Sequence, residues 1–223
     1  ERLEDRRLLA GVTPNDALFA QQWALDNRGQ TGGVPDADID APAAWSITTG
    51  NAATVVAMID TGIDYTHEDL YMNIWINQDE IPAAVRPNLL DIDADSLITF
   101  RDLNDAANAA HVVDVNGNSR IDAGDLLNSP SWEDGIDTDG NGHVDDLIGW
   151  DWVSNDNDPM DEQGHGTLTA GVLGAEGNNG VGMAGVNWNV QLMALRFEAT
   201  INMWTDESAA NAIDYAVLMG VPI

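Results

Sequence analysis

Two stretches of the chain are apolar with almost no alternation, Val55 to Ile59 and Val190 to Leu195. That pattern predicts strands buried on both faces in the middle of a parallel sheet. Other segments carry helical spacing. Ile39 to Thr49 has Pro42 in its first turn and Gly50 just past its end, and a helix rich in small residues opens at His165 and ends near Gly174. Asp206 to Gly220 is amphipathic, with Ala209, Ile213, Ala216 and Val217 on one face, and Val221 to Ile223 begins a further strand. In Asn15 to Leu25, Phe19 and Trp23 are spaced to tuck together onto a core. The order strand, helix, strand predicts an α/β fold built on a parallel sheet with right-handed crossovers.

The apolar run of the first strand stops at Asp60, followed by Thr61-Gly62. Open α/β sheets place their chemistry at the C-terminal ends of such strands, although a lone acid there also serves to cap a turn. His165 stands between Gly164 and Gly166 at a helix start that another segment can approach closely. Together, Asp60-Thr61-Gly62-Ile63-Asp64 with His67 and Asp69-Leu70, and Gly164-His165-Gly166-Thr167 with Ala170-Gly171, resemble the aspartate and histidine motifs of the subtilisin-like serine proteases (subtilases, peptidase family S8). The resemblance runs from about Asn15 to the last residue, broken by one acidic insertion.

The resemblance implies that Asp60 orients His165 and that His165 is the general base, in the order Asp, His, Ser. It also implies a calcium ion held by Asp16 and Asp69 with carbonyls of the Gly177 to Val186 loop. None of Ser46, Ser96, Ser119, Ser129, Ser131, Ser154 and Ser208 stands in the family's Gly-Thr-Ser nucleophile context. The chain is therefore expected to be the N-terminal part of a catalytic domain, truncated before its last strands, and inert alone, while its parent is an endopeptidase acting on polypeptides. A non-catalytic calcium-binding or interaction module derived from a protease is the alternative.

Charge narrows the partners. The 223 residues hold 38 acids against 8 bases, all of them Arg, for a formal net charge of -30. Phosphate-rich surfaces would be repelled, which disfavours nucleic acid and anionic membrane. No apolar run reaches the roughly 20 residues of a membrane span. Without cysteine there is no disulfide or thiolate site, so hard oxygen ligands are the metal chemistry available. The opening Leu3-Glu4-Asp5-Arg6-Arg7-Leu8-Leu9 resembles a pattern near the start of exported bacterial proteins, which points to an extracellular or cell-surface location. Oligomeric state is not legible.

Acids concentrate rather than spread, with 18 of the 38 between Asp91 and Asp161 beside two bases, Arg101 and Arg120. Within that stretch three segments begin 23 residues apart, at Asp91, Asp114 and Asp137, an internal repeat. Each has the ligand order of a calcium loop, with oxygen side chains at the first, third, fifth and ninth positions and a carbonyl at the seventh. These are Asp91, Asp93, Asp95 and Thr99, closed by Asp102; Asp114, Asn116, Asn118 and Asp122, with Arg120 at the seventh and Asp125 closing; and Asp137, Asp139, Asn141 and Asp145, with His143 at the seventh. The loops resemble those of dockerin and EF-hand modules, and calcium is the expected cofactor. Apolar eighth positions, Ile98, Ile121 and Val144, are expected to pair two loops back to back. Only the third loop has glycine at its sixth position (Gly142), but it lacks the twelfth-position acid, a gap for Asp146, Asp151 or water to fill. One short helix, Leu103 to Ala110, is expected between the first two loops.

The expected organisation is a tail over 1–14, an incomplete subtilisin-like catalytic domain over 15–90 and 152–223 with helices on both faces of its sheet, and an insertion over 91–151. Crowded carboxylates and few apolar residues predict that the insertion folds only around calcium.

Overall fold

The computed structural model describes residues 11–199 and 205–221. Three strands form a parallel sheet in the order β1 (Gly50–Asp60), β3 (Asn189–Arg196), β2 (Gly149–Asp151). Val55 to Asp60 run in continuous register beside Gln191 to Arg196. The two apolar runs are thus parallel strands of one sheet, as expected. Among the described residues β3 lies in the middle and is buried almost throughout, while β1 lies at the edge and is partly exposed from Thr54 to Asp60.

Alternate residues of β1 feed two layers. Val56 and Met58 pack on a large cluster that includes Ala170 of α4 (His165–Gly174), and Val55, Ala57 and Ile59 pack on a second with Ala212 and Tyr215 of α5 (Asp206–Leu218). Helices on both faces of a parallel sheet are the expected architecture. Several local expectations give way. The helix expected over Ile39 to Thr49 is only α1 (Ala41–Trp45). Trp23 is 49 % exposed, and Leu25 joins Phe19 in the core instead. On α5 the buried residues are Ala212 and Tyr215, while Ile213 and Val217 face outward. Small Ala212 lets the helix approach the sheet, and the Tyr215 hydroxyl reaches Asp146 at 2.5 Å, which no alanine or valine face offers. The expected final strand lies largely outside the described residues, as does most of the 1–14 tail.

The acidic stretch is not a separate body. Phe100, Leu103, Val112, Leu126, Trp132, Leu147 and Ile148 share one buried cluster with Ile63, Leu70 and Ala170. Its apolar residues thus divide: these join the common core, while Ile92, Val113, Val115, Ile136 and Val144 stay exposed. β2 falls inside the stretch read as insertion yet pairs with β3, so the chain rejoins the sheet at Gly149, three residues early. The single helix expected from Leu103 to Ala110 is replaced by α2 (Phe100–Leu103) and a 3-10 turn at Ala106–Asn108, with α3 (Ala123–Leu127) after the second loop. Among the described residues no helix is long and apolar enough to cross a membrane.

Candidate active site

Asp60 ends β1, and the chain then turns under the segment that leads into α4. Gly62 makes this possible: its φ is +103°, and a Cβ there would lie 2.4 Å from the carbonyl oxygen of Pro159. The Ile63 amide donates to that carbonyl at 3.1 Å. Gly166 completes the approach, because a Cβ on it would stand 2.0 Å from the Gly62 carbonyl oxygen and 3.1 Å from Asp60 Cβ. Only a helix start without side chains at this point can bring His165 onto the strand end.

There the Asp60 Oδ1 and His165 Nδ1 lie 2.7 Å apart. Oδ1 also accepts the Thr61 amide at 2.7 Å, and Oδ2 accepts the Thr169 hydroxyl at 3.1 Å. The acid is thus held from three directions. Its side chain is 12 % exposed, whereas the imidazole is 46 % exposed. The hydrogen bond that the ring donates to Asp60, reinforced by the carboxylate's charge, raises the His165 pKa. With Nδ1 turned to the acid, Nε2 is left to exchange a proton with a reactant. Among the described residues no serine hydroxyl is bonded to His165. At the neighbouring strand ends, Arg196 is paired with Asp151 at 3.0 Å and Glu162 at 2.8 Å, so that cation serves other acids.

Asp16 and Asp69 are also brought together by the expected loop. Asp16 accepts the amides of Asn178 and Asn179, and Asp69 accepts the Asn179 side chain at 2.9 Å and the Met183 amide at 2.9 Å. Burial, with the Asp16 charge adding to it, raises the Asp69 pKa against these donors.

The three acidic loops repeat in backbone as well as in sequence. Their fourth and sixth positions are left-handed throughout: Ala94 and Ser96, Gly117 and Ser119, Gly140 and Gly142. In each, the first Asp accepts the fifth and sixth amides, from Asp95 and Ser96, Asn118 and Ser119, and Asn141 and Gly142. Acid oxygens of Asp91, Asp93 and Asp95 lie within 4.8 Å of one another, as do those of Glu80, Asp137 and Asp139. That all-oxygen donor set fits a hard cation. The second loop gathers fewer acids because its third and fifth positions are Asn116 and Asn118, whose amides face Asp122.

Glu80 is the residue that the sequence reading missed. In the second loop the twelfth-position Asp125 accepts the amides of Val115, Asn116 and Asp122; in the first, Asp102 accepts those of Ile92 and Thr99. The third loop has Ile148 at that place, and Glu80 accepts the matching amides of Thr138, Asp139 and Asp145. So neither Asp146 nor Asp151 fills the gap. Asp151 belongs to β2, and Asp146 takes the Asn77, Asn141 and Tyr215 donors. Asp145 turns out of the third loop to accept the amides of Asp134 and Gly135. Burial pushes the Glu80 carboxyl up to about 7 and that of Asp146 up to about 6. The expected back-to-back pairing of eighth positions is not made. Side-chain amides replace it, Gln78 bonding both the N–H and C=O of Ile98, and Asn104 those of Ile121. Val144 is 43 % exposed.

Thr99 caps α2, and Asp122 caps α3. Of the seventh-position residues, Arg120 donates to the Thr66 carbonyl and lies over the Tyr71 ring, while His143 packs edge-on against Trp150 and Tyr215.

The subtilase family model matches residues 51–223. The chain therefore belongs to the subtilase family. It is 30% identical over 183 residues to "Subtilisin-like protease 1" of Plasmodium vivax, covering 82% of this chain and 20% of that protein. It is 26% identical over 214 residues to "Thermophilic serine proteinase" of Bacillus sp. (strain AK1), covering 96% of this chain and 33% of that one. The chain thus spans a fifth to a third of the length of these relatives. Among solved structures, a protease of Pseudoalteromonas arctica PAMC 21717 matches 92% of this chain and 44% of its own at 25% identity, with a TM-score of 0.45.

Proposed function

We propose that the protein containing this chain is a serine-type endopeptidase in which Asp60 orients His165 and His165 is the general base. The observation that carries this reading is the 2.7 Å contact between Asp60 Oδ1 and His165 Nδ1 at the meeting of a strand end and a helix start. His165 Nε2 takes the proton of a serine hydroxyl as its oxygen attacks the peptide carbonyl, then returns it to the leaving amine. The Asp60 carboxylate stabilises the imidazolium formed in between. On this reading the serine and the oxyanion-hole asparagine come from outside these residues, and the 223-residue chain alone is inert. The test is hydrolysis of an unfolded polypeptide by the full-length protein, with and without a serine-directed phosphonate. Activity indifferent to the phosphonate would overturn the assignment.

Calcium is part of the proposal. Asp91, Asp93 and Asp95 would hold one ion, Asp114, Asn116 and Asn118 a second, and Asp137 and Asp139 with Glu80 a third, with Asp16 and Asp69 at a separate site. An ion there supplies charge that offsets the crowded carboxylates and links loops to the catalytic body. Support comes from the three-fold repetition of left-handed positions and first-Asp hydrogen bonds, and from the buried Glu80. Titrating calcium into the protein and following tryptophan fluorescence tests it; an equal response to magnesium counts against it. An extracellular or cell-surface location fits this use of calcium, which is abundant enough there to fill loops of modest affinity.

A further inference from the structure

One carboxylate joins the two segments that carry Asp60 and His165 without touching either. Asp161 Oδ1 accepts the Thr61 hydroxyl at 2.9 Å and the amides of Gln163 at 2.9 Å and Gly164 at 2.8 Å. Its Oδ2 accepts the Thr167 amide at 2.9 Å and the Thr167 hydroxyl at 2.6 Å. Thr61 follows Asp60 directly, and Thr167 lies two places after His165. The threonines are also crossed. The Gly166 amide donates to Thr61 Oγ1 at 3.0 Å, and the Asp64 amide donates to Thr167 Oγ1 at 2.9 Å. Each hydroxyl therefore receives an amide from the opposite segment and gives its own proton to Asp161.

We propose that Asp161 is a positioning residue for the Asp60–His165 pair: by holding Thr61 and Thr167 at a fixed separation it sets the distance between strand end and helix start. The proposal rests on the reading of that pair as the catalytic acid and base. Two features make Asp161 suited to the task. All five of its partners are donors, so the bracket needs the ionised form, and hydrogen bonds to a charged acceptor are about twice as strong as neutral ones. Burial works to raise its pKa, but the bonds from Thr167, Gly164 and Gln163 outweigh it and leave the pKa lowered. The bracket is thus intact at neutral pH. Second, Thr61 is 1% exposed, so water offers its hydroxyl no ready substitute. Positioning matters steeply, since a misplacement of about 1 Å can cost on the order of 100-fold in rate.

The test is nuclear magnetic resonance of the histidine rings in the 15N-labelled chain, which has four histidines. Groups whose charge acts on the His165 ring are Asp60, Glu198 and Asp161. Wild type should show an exchange-protected Nδ1–H on His165 and a raised pKa, both lost in Asp60→Asn. Asp161→Ala should lose the protected proton and move the pKa at least half of the way to the Asp60→Asn value. Thr61→Val keeps the Asp161 charge and removes one arm of the bracket; it should lose the proton's protection with a smaller pKa change. A wild-type His165 spectrum in folded Asp161→Ala overturns the proposal, and so does one in Thr61→Val should Asp161→Ala not fold. An Asp60→Asn spectrum identical to wild type is a different result: it removes the catalytic reading itself, and the positioning role falls with it.

Discussion

Replacing Trp132 with alanine asks whether the acidic stretch and the sheet are one cooperative body. Trp132 is fully buried, shares its cluster with Ile63, Leu70 and Ala170, and donates its indole N–H to the His111 carbonyl at 3.2 Å. Truncating a buried tryptophan costs about 3–5 kcal/mol. Loss of the indole hydrogen bond is part of the same change and typically contributes about 1 kcal/mol of it. For a domain of this size each kcal/mol moves the melting temperature by about 2–4 °C, so the shift should be roughly 10 °C. The assay is hydrogen exchange of β3 amides, such as Leu192 and Ala194, together with those of α2 and α3, at fixed calcium. Both sets should lose protection by the same free energy. If α2 and α3 lose protection while β3 amides keep theirs, the stretch unfolds alone and the single-core argument is wrong.

Gly166→Ala should destabilise the protein by about 3 kcal/mol or more, since the added Cβ meets the Gly62 carbonyl oxygen at 2.0 Å and backbone must move; a melting temperature within a degree of wild type contradicts the close approach. Glu80→Gln should weaken the calcium response of the third loop while leaving that abolished by Asp114→Ala intact, as read by fluorescence titration; an unchanged titration removes Glu80 from the calcium proposal. The raised pKa of His165 sets a pH dependence. Its pairing with Asp60 adds stability that is full below the unfolded histidine value of about 6.5 and is lost as pH rises through the folded value. Melting temperatures of wild type and Asp60→Asn should therefore differ more at pH 5 than at pH 9, and a constant difference counts against the pairing.

The pair Asp60 and His165 was legible because each lies in a short motif whose neighbours, Gly62 and Gly166, are needed for the approach itself. β3 was legible because burial on both faces removes alternation; β1 shares the pattern but is only partly buried. What joins the motifs was not. Thr61 and Asp161 are 100 residues apart, and nothing in Asp156 to Gln163 but its polarity marks one acid as the bracket. Glu80 escaped for a similar reason: the missing twelfth acid announced a gap, but its supplier lies upstream, between Asn77 and Pro82, in a stretch without periodicity. The buried face of α5 is not the one that spacing alone favours, because spacing offers two apolar stripes and the buried one carries Tyr215, whose hydroxyl bonds Asp146. Few apolar residues looked like too little core for the acidic stretch. Phe100, Leu126 and Trp132 nevertheless join a core that the body already has.

The central claim is that His165, oriented by Asp60, moves the proton in peptide hydrolysis. It is tested most directly by kcat/KM of the full-length protein with His165→Ala, at pH 8 and saturating calcium. A fall on the order of 10⁴-fold or more, with folding intact by circular dichroism, is the predicted result. Activity within about tenfold of wild type would contradict it.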